Sequence, residues 1–300
     1  MEFLNFYTTK IFLRMFVRKE ATSSSQIEGT RATIADAIEA EITSKEHLSD
    51  DVDDILYYIK ALNFGLARSG TLPLYTRLIC ELHRELMKGA RSSGNPFPGE
   101  IRYTQNWIRG ISLSNALFVP PPPHEVHPAL SDLEKFIHST KEDYPPLIKA
   151  ALIHAQFETI HPFVDGNGRA GRLLITLFLW KERLLEISLL YLSDFFKKHH
   201  DLYHTLLHHY HGDPPEITSW IDFFLEGIIE TSKAAIQIAQ KINQILENDM
   251  AKVLDASKGA DSTLHILRHL YGQPIVDIAK IQEWTGFTRA GSQKVIEGLR

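Results

Sequence analysis

Residues 161–172 read His-Pro-Phe-Val-Asp-Gly-Asn-Gly-Arg-Ala-Gly-Arg, HPFVDGNGRAGR, and the fold assignment turns on them. One His, one Asp, one Asn, two Arg and three Gly within twelve residues is more polar chemistry than a packing segment needs. The run before it, PPLIKAALIHAQFETI, has helical periodicity and opens on Pro145-Pro146, a good helix start. The run after it continues through LLITLFLW at 173–180, which suits a helix buried at the centre of a bundle. The motif is therefore a loop between two helices, with Gly166-Asn167-Gly168-Arg169 opening the second. Unpaired N–H groups and the positive end of the dipole make such an opening a seat for phosphate. Gly166, Gly168 and Gly171 formally fit GxGxxG, but a helix rather than a strand precedes them, which excludes a dinucleotide fold. No phosphate-binding GxxxxGK[ST] occurs.

The residue types then suggest the chemistry. Asp165 is a hard oxygen ligand suited to Mg²⁺, which takes one or two carboxylates together with phosphate oxygens and water. Arg169 and Arg172 lie three apart on the new helix and can both face one triphosphate. Asn167 can bond a phosphate or fix the loop. His161 is the motif's only near-neutral base and can take a proton from an attacking hydroxyl.

The remaining 288 residues set the frame. The chain has 300 residues, 44% hydrophobic, with net charge −5, enough for one large domain and a small one. That balance does not favour nucleic acid or a membrane surface as the main partner. The single Cys, Cys80, reads as a small core residue and fits a reducing, cytoplasmic setting. No apolar stretch reaches membrane-spanning length, and the first twenty residues read as an amphipathic helix rather than a leader. Helical spacing recurs over 51–69, 72–89, 126–140, 146–160, 167–185, 195–211 and 216–248. The Gly- and Pro-rich segment 91–123 breaks the pattern. Its pieces RYTQNWI and ALFV suggest a β-hairpin flap, followed by a stiff Pro120–Pro123 link. After a linker at 257–262, three short helices with a tight turn at 285–288 suit a helix-turn-helix.

With these residues in view, the chain resembles the Fic-domain proteins, whose signature HxFx(D/E)GNGRxxR is filled at every specified position. The resemblance implies an all-α helical bundle with a small β-hairpin flap, and AMP transfer from ATP to a hydroxyl of a target protein. In that case His161 deprotonates the hydroxyl and Asp165 holds Mg²⁺. Gly166, Asn167 and Gly168 form the anion-binding turn, Arg169 and Arg172 bind phosphates with Ala170 and Gly171 beside them, and Phe163 anchors the loop.

Three more stretches extend the resemblance. SSSQIEGTRAT at 23–33 resembles the family's inhibitory motif (S/T)xxxE(G/N) as Ser24, Glu28 and Gly29, with Glu28 expected on Arg172 from a short helix. As a plain helix the same residues would be an N-cap and a C-cap. The flap at 100–120 would align the target through Thr104, Trp107 and Ile108; Arg109 stands where relatives commonly carry Gly. In 191–213, His199, His200 and Tyr203 are adenine-side candidates. His200, His204 and His208 have i,i+4 spacing, but no Glu or Cys completes a zinc motif, and a partly exposed helix face is the better reading. The expected division is 1–70 (N-terminal inhibitory region), 71–248 (catalytic core) and 258–300 (partial winged helix). That last unit carries six basic and four acidic residues, weak support for DNA. Homodimerisation and the chain itself as target stay open. The competing functions are a nucleotide-sensing DNA-binding regulator and a Fic enzyme that removes AMP or transfers another phosphate-linked group.

Overall fold

The computed structural model describes residues 2–42, 49–88, 97–139, 144–185, 190–255 and 260–298. The stretch 91–96 and residues 257–259 of the expected linker lie outside them. Thirteen α-helices and no strand occur among the described residues.

The central element is α7 (Asn167–Lys181), whose residues Leu173–Leu179 are all buried. An element apolar all round must be enclosed on every side. α6 (Pro146–Ile160), α3 (Asp50–Ser69), α4 (Thr76–Leu86) and α1 (Glu2–Ile27) pack around it. α2 (Ile34–Ile42) lies on α1 and α3, and α5 (Pro123–His138) covers α6. α8 (Leu192–Lys198) and α9 (His200–Tyr210) close the far side against α10 (Ile217–Asp255). Sequence periodicity suggests one helix over 195–211; the structure breaks it at His199 (φ −109°, ψ 38°). No helix among the described residues is long and apolar enough to cross a membrane.

The expected short inhibitory helix at 23–33 is instead the end of α1. Ser24 lies inside that helix, not at an N-cap, and Glu28 follows its last residue. Nothing between Glu20 and Ser25 breaks the helix. Ser23, Ser24 and Ser25 are all buried, so small side chains let α1 approach its neighbours despite their modest helix propensity. Gly29 (φ +96°) turns the chain away, the left-handed position where glycine carries no steric cost.

The flap is a hairpin closed by a single antiparallel bridge, Ile108 to Phe118. The ladder ends there for local reasons. Arg109 (φ 53°) and Gly110 (φ 88°) leave the β region, and a Cβ on Gly110 would lie 2.4 Å from the Asn115 carbonyl oxygen. On the other side, Pro120–Pro123 offer no N–H. Side chains tie the flap down in place of a ladder: the amides of Asn106 and Gln105 donate to the carbonyls of Phe163 (3.2 Å) and Pro120 (2.9 Å).

The C-terminal region contains α11 (Ala260–Gly272), α12 (Ile278–Thr285) and α13 (Arg289–Gly298). Gly286 (φ 70°) makes the tight turn between the last two. α11 rests on α1 and α10, and the buried Arg18 joins Glu41 (2.5 Å) to the Gly272 carbonyl (3.1 Å).

Candidate active site

α6 ends at His161, which adopts φ 48°, ψ 60°. A non-glycine residue in this region carries strain of about 1–2 kcal/mol. Arg102, 2% exposed, holds it there. Its Nε donates to the His161 carbonyl (2.8 Å), and its other nitrogens to the carbonyls of Thr104 (3.1 Å) and Pro121 (2.5 Å). One guanidinium thus fastens the motif to both ends of the flap.

The loop is locked from within. The Asn167 side chain accepts from the Phe163 N–H (2.9 Å) and donates to the Phe163 carbonyl (2.8 Å). Asn167 is buried and spends both polar ends on the loop, so it shapes the anion seat and does not present its amide to it. The His83 ring stacks on Phe163 at 3.7 Å. Its Nδ1 accepts from the Gly99 N–H (2.8 Å), which leaves Nε2 as the donor to the Asp165 carbonyl (2.8 Å). Burial pushes its pKa to about 4, so the ring stays neutral.

Gly166 (φ 76°) begins α7, and the first intrahelical bond runs from the Ala170 N–H to the Gly166 carbonyl. The N–H groups of Asn167, Gly168 and Arg169 therefore lack helical partners. Ala170 is a buried packing residue beneath this turn. Asp165 stands exposed at the mouth, one oxygen accepting from the Gly166 N–H (2.6 Å). Its other oxygen has no partner among the described residues, which fits a carboxylate available to Mg²⁺. Among those residues no group of three His, Cys, Asp or Glu is arranged to hold a metal, so phosphate and water would complete any Mg²⁺ shell.

The two arginines diverge. Arg172, 2% exposed, donates from Nε to the Ser24 hydroxyl (2.8 Å), and from Nη2 to the Ser24 carbonyl (3.0 Å) and a Glu28 carboxylate oxygen (2.7 Å). The expected pairing with Glu28 is present, but the fork is shared with Ser24. Arg169 turns away from the cleft into a buried pair with Asp54 (2.8 Å) and meets Met87 Sδ (3.6 Å). The expectation that both guanidiniums face one triphosphate thus fails in this state, because a buried carboxylate on α3 captures the first.

Glu28 lies over the seat. A Cβ on Gly168 would run into its Oε1, so glycine leaves room for the carboxylate in this position. Partial desolvation against the cleft opposes ionisation of Glu28, whose side chain keeps some contact with water, but the Arg172 guanidinium outweighs it and holds the carboxyl below its usual range. The cavity beside it, about 140 Å³, is walled by Ile108, Phe118, Glu158, His161, Tyr203 and His204, among others. Tyr203 lines it from a buried position, its hydroxyl 2.9 Å from His154 Nε2. His199 packs instead against Phe195 and Phe223 and is not among the lining residues. His204, His208 and His211 face this cavity and are half-buried, in keeping with a partly exposed face of α9; burial pushes His204 and His211 to about 4. On the flap, Thr104 and Trp107 are exposed, while Ile108 is half-buried at the cavity wall.

Comparison with known proteins agrees with this geometry. The family model described as Fic/DOC family matches residues 73–179, and its companion, Fic/DOC family N-terminal, matches 4–67. The chain belongs to the Fic/DOC family. A protein adenylyltransferase Fic of Drosophila grimshawi is 30% identical over 165 residues, 52% of this chain and 31% of that protein. A probable protein adenylyltransferase of Aquifex aeolicus is 37% identical over 73 residues, 24% and 22% of the two chains. The Fic chain thus spans about a third or less of the length of these curated relatives. The solved structure of a Fic family protein from Desulfovibrio desulfuricans G20 superposes with a TM-score of 0.62 at 20% identity, over 94% of this chain and 78% of that one. A Fic domain containing signaling protein from Bacteroides thetaiotaomicron gives 0.62 at 20% identity, over 78% and 90%. At that identity the likeness establishes the Fic fold.

Sequence reasoning missed His83, Arg102, Asp54 and Glu158. His83 is the one with a local signal, a polar ring on the apolar face of α4.

Proposed function

We propose that this chain is a protein adenylyltransferase that moves AMP from Mg·ATP to a hydroxyl side chain of a target protein, and that Glu28 holds it inactive. Residues 71–248 form the catalytic core, 1–70 the inhibitory region and 258–300 an appended unit. The observation that carries the reading is the Arg172–Glu28 pair lying across Gly168 at the start of α7. An anion-binding helix start, a base at His161 and a carboxylate at Asp165 are what phosphoryl-type transfer needs, because positioning and charge neutralisation do most of its work.

The α7 N–H groups and Arg172 would receive phosphate oxygens. Asp165 would hold Mg²⁺, which supplies charge neutralisation when bound. His161 would take the hydroxyl proton as oxygen attacks the α-phosphorus and pyrophosphate leaves. With Glu28 in place, its carboxylate repels a phosphate from the seat and occupies Arg172.

The test compares covalent label from α-phosphate-labelled and γ-phosphate-labelled ATP in the parent, Glu28→Gly and Glu28→Gly/His161→Ala. We expect α-label to rise in the single variant and vanish in the double. Equal labelling of parent and single variant refutes the inhibitory role. Label from the γ-phosphate refutes AMP transfer. Loss of an AMP-removing activity in Glu28→Gly would make Glu28 a catalytic group.

A further inference from the structure

Several polar atoms around the cleft floor are buried without a well-formed hydrogen bond, among them Oε1 of Glu158 and Nδ1 of His154 and His161, whose rings meet the backbone of Gly171 and of Glu158 respectively only in marginal geometry. A Cβ on Gly171 would lie 2.6 Å from Glu158 Oε1 and 3.1 Å from His154 Nδ1. Gly171 therefore makes room for the carboxyl. The other oxygen, Oε2, points to the base, 3.9 Å from His161 Nδ1. The Glu158 side chain is 9% exposed. A buried carboxyl without partners is costly, and an apolar residue at this position of α6 would pack without that cost.

We propose that Glu158 is the positioning residue of His161: its carboxylate takes the Nδ1–H bond, leaving Nε2 free to accept the proton of the target hydroxyl. This rests on the adenylyltransferase reading for the identity of that hydroxyl. The contact is open in the inhibited state. A shift of about 1 Å would bring Oε2 to normal hydrogen-bond distance.

The surrounding charges explain why it is open. Burial raises the Glu158 carboxyl to about 8, Arg172 opposes this and Glu28 adds to it. His154, His161 and Tyr203 are the other ionisable groups around the carboxyl, and burial keeps both imidazoles neutral. Removing Glu28 takes away a nearby anion and leaves Arg172 to oppose the effect of burial on the carboxyl. His161, pushed to about 4 by burial, is a poor base alone. A carboxylate on Nδ1 raises its basicity and stabilises the imidazolium once Nε2 holds the proton. Glu28 thus acts twice, by occupying Arg172 and by adding to the burial that keeps the orienting carboxyl neutral.

The direct test uses the full chain and needs no turnover. ¹⁵N spectra of ring-labelled histidine, with His161 assigned by His161→Gln, report its tautomer in Glu28→Gly and in Glu28→Gly/Glu158→Leu. The expected result is a predominant Nδ1–H form with Glu158, and a mixed tautomer titrating at lower pH with Leu. Identical tautomer and titration in the two variants overturn the proposal. In the same background Glu158→Leu should lower kcat about 10- to 100-fold with the KM for ATP nearly unchanged, and Glu158→Asp should recover part of the loss. An unchanged kcat also overturns it. If Glu28→Gly transfers no label, the adenylyltransferase reading fails, while the spectra still decide the role of Glu158.

Discussion

Replacing Asp54 with Ala should be among the most damaging single substitutions outside the motif. Asp54 and Arg169 are each 6% exposed and meet at 2.8 Å. The Arg169 Nε already has no partner, and Nη2 touches only Met87 Sδ (3.6 Å). Without Asp54 the guanidinium stays buried and unpaired, which typically costs about 3–5 kcal/mol. The Thr30 hydroxyl, which donates to Asp54 at 2.9 Å, loses its acceptor, roughly 1 kcal/mol more. At about 2–4 °C per kcal/mol for a chain of this order of size, the melting temperature should fall by about 10–20 °C. Urea titration and thermal unfolding measure this directly. Asp54→Leu combined with Arg169→Met should recover most of the loss, because removing both charges leaves neither stranded. A second effect follows from Thr30, two residues beyond Glu28: the Asp54→Ala chain that remains folded should take up more α-label than the parent. A stability loss under about 1 kcal/mol would refute the reasoning. It would mean that Arg169 reaches water or the cleft, and a phosphate role for it would regain its footing.

Four further outcomes are expected. Asn167→Ala should lose two bonds to Phe163, about 2 kcal/mol, and lower kcat more than ATP affinity; a tenfold loss of affinity by calorimetry would make it a phosphate ligand. His83→Phe should keep the stack on Phe163 but lose both hydrogen bonds, about 1–3 kcal/mol at pH 7. His83 has a folded pKa of about 4, below the usual 6.5, so its stability contribution is full above pH 6.5 and is lost as pH falls towards 4. The gap between parent and His83→Phe should therefore narrow by roughly 2 kcal/mol between pH 6.5 and 5 in urea titrations, and a constant gap would refute the neutral ring. Cys80, raised to about 11 by burial, should react with iodoacetamide far more slowly at pH 7.5 than a free thiol does; rapid alkylation of the native chain would contradict its packing.

The candidate site was legible in the sequence where its parts are contiguous. HPFVDGNGRAGR places a base, a carboxylate and a helix start within one loop, so local geometry suffices. The Glu28–Arg172 pair spans 144 positions and could be expected only through the resemblance of Ser24, Glu28 and Gly29 to a known motif. Partners supplied by the tertiary fold were not legible. Asp54 captures Arg169 across 115 positions, and His83 reaches Asp165 across 82. Asn167 shows a different limit, since the same amide could bond phosphate or lock the loop, and burial selects the lock. The expected hairpin and the observed single bridge differ because strand propensity in RYTQNWI cannot offset Arg109 and Gly110 leaving the β region together.

The Arg172–Glu28 contact is asymmetric, and on the proposed inhibitory reading that asymmetry determines which partner can move. Arg172 is 2% exposed and anchored twice to Ser24, whereas the Glu28 side chain is 43% exposed. Withdrawing Arg172 would pull a buried guanidinium through packed side chains. Withdrawing Glu28 returns a carboxylate to water, where hydration replaces much of what it loses. On that reading, release would begin with Glu28 and the turn at Gly29 and would leave Arg172 in place for an incoming phosphate. The restraint on that turn is mechanical as much as electrostatic. Thr30 is held by Asp54, and α1, which carries Ser24, is joined through Arg18 to Glu41 and to the end of α11. A change at any of these anchors would alter activity without touching a residue of the cleft.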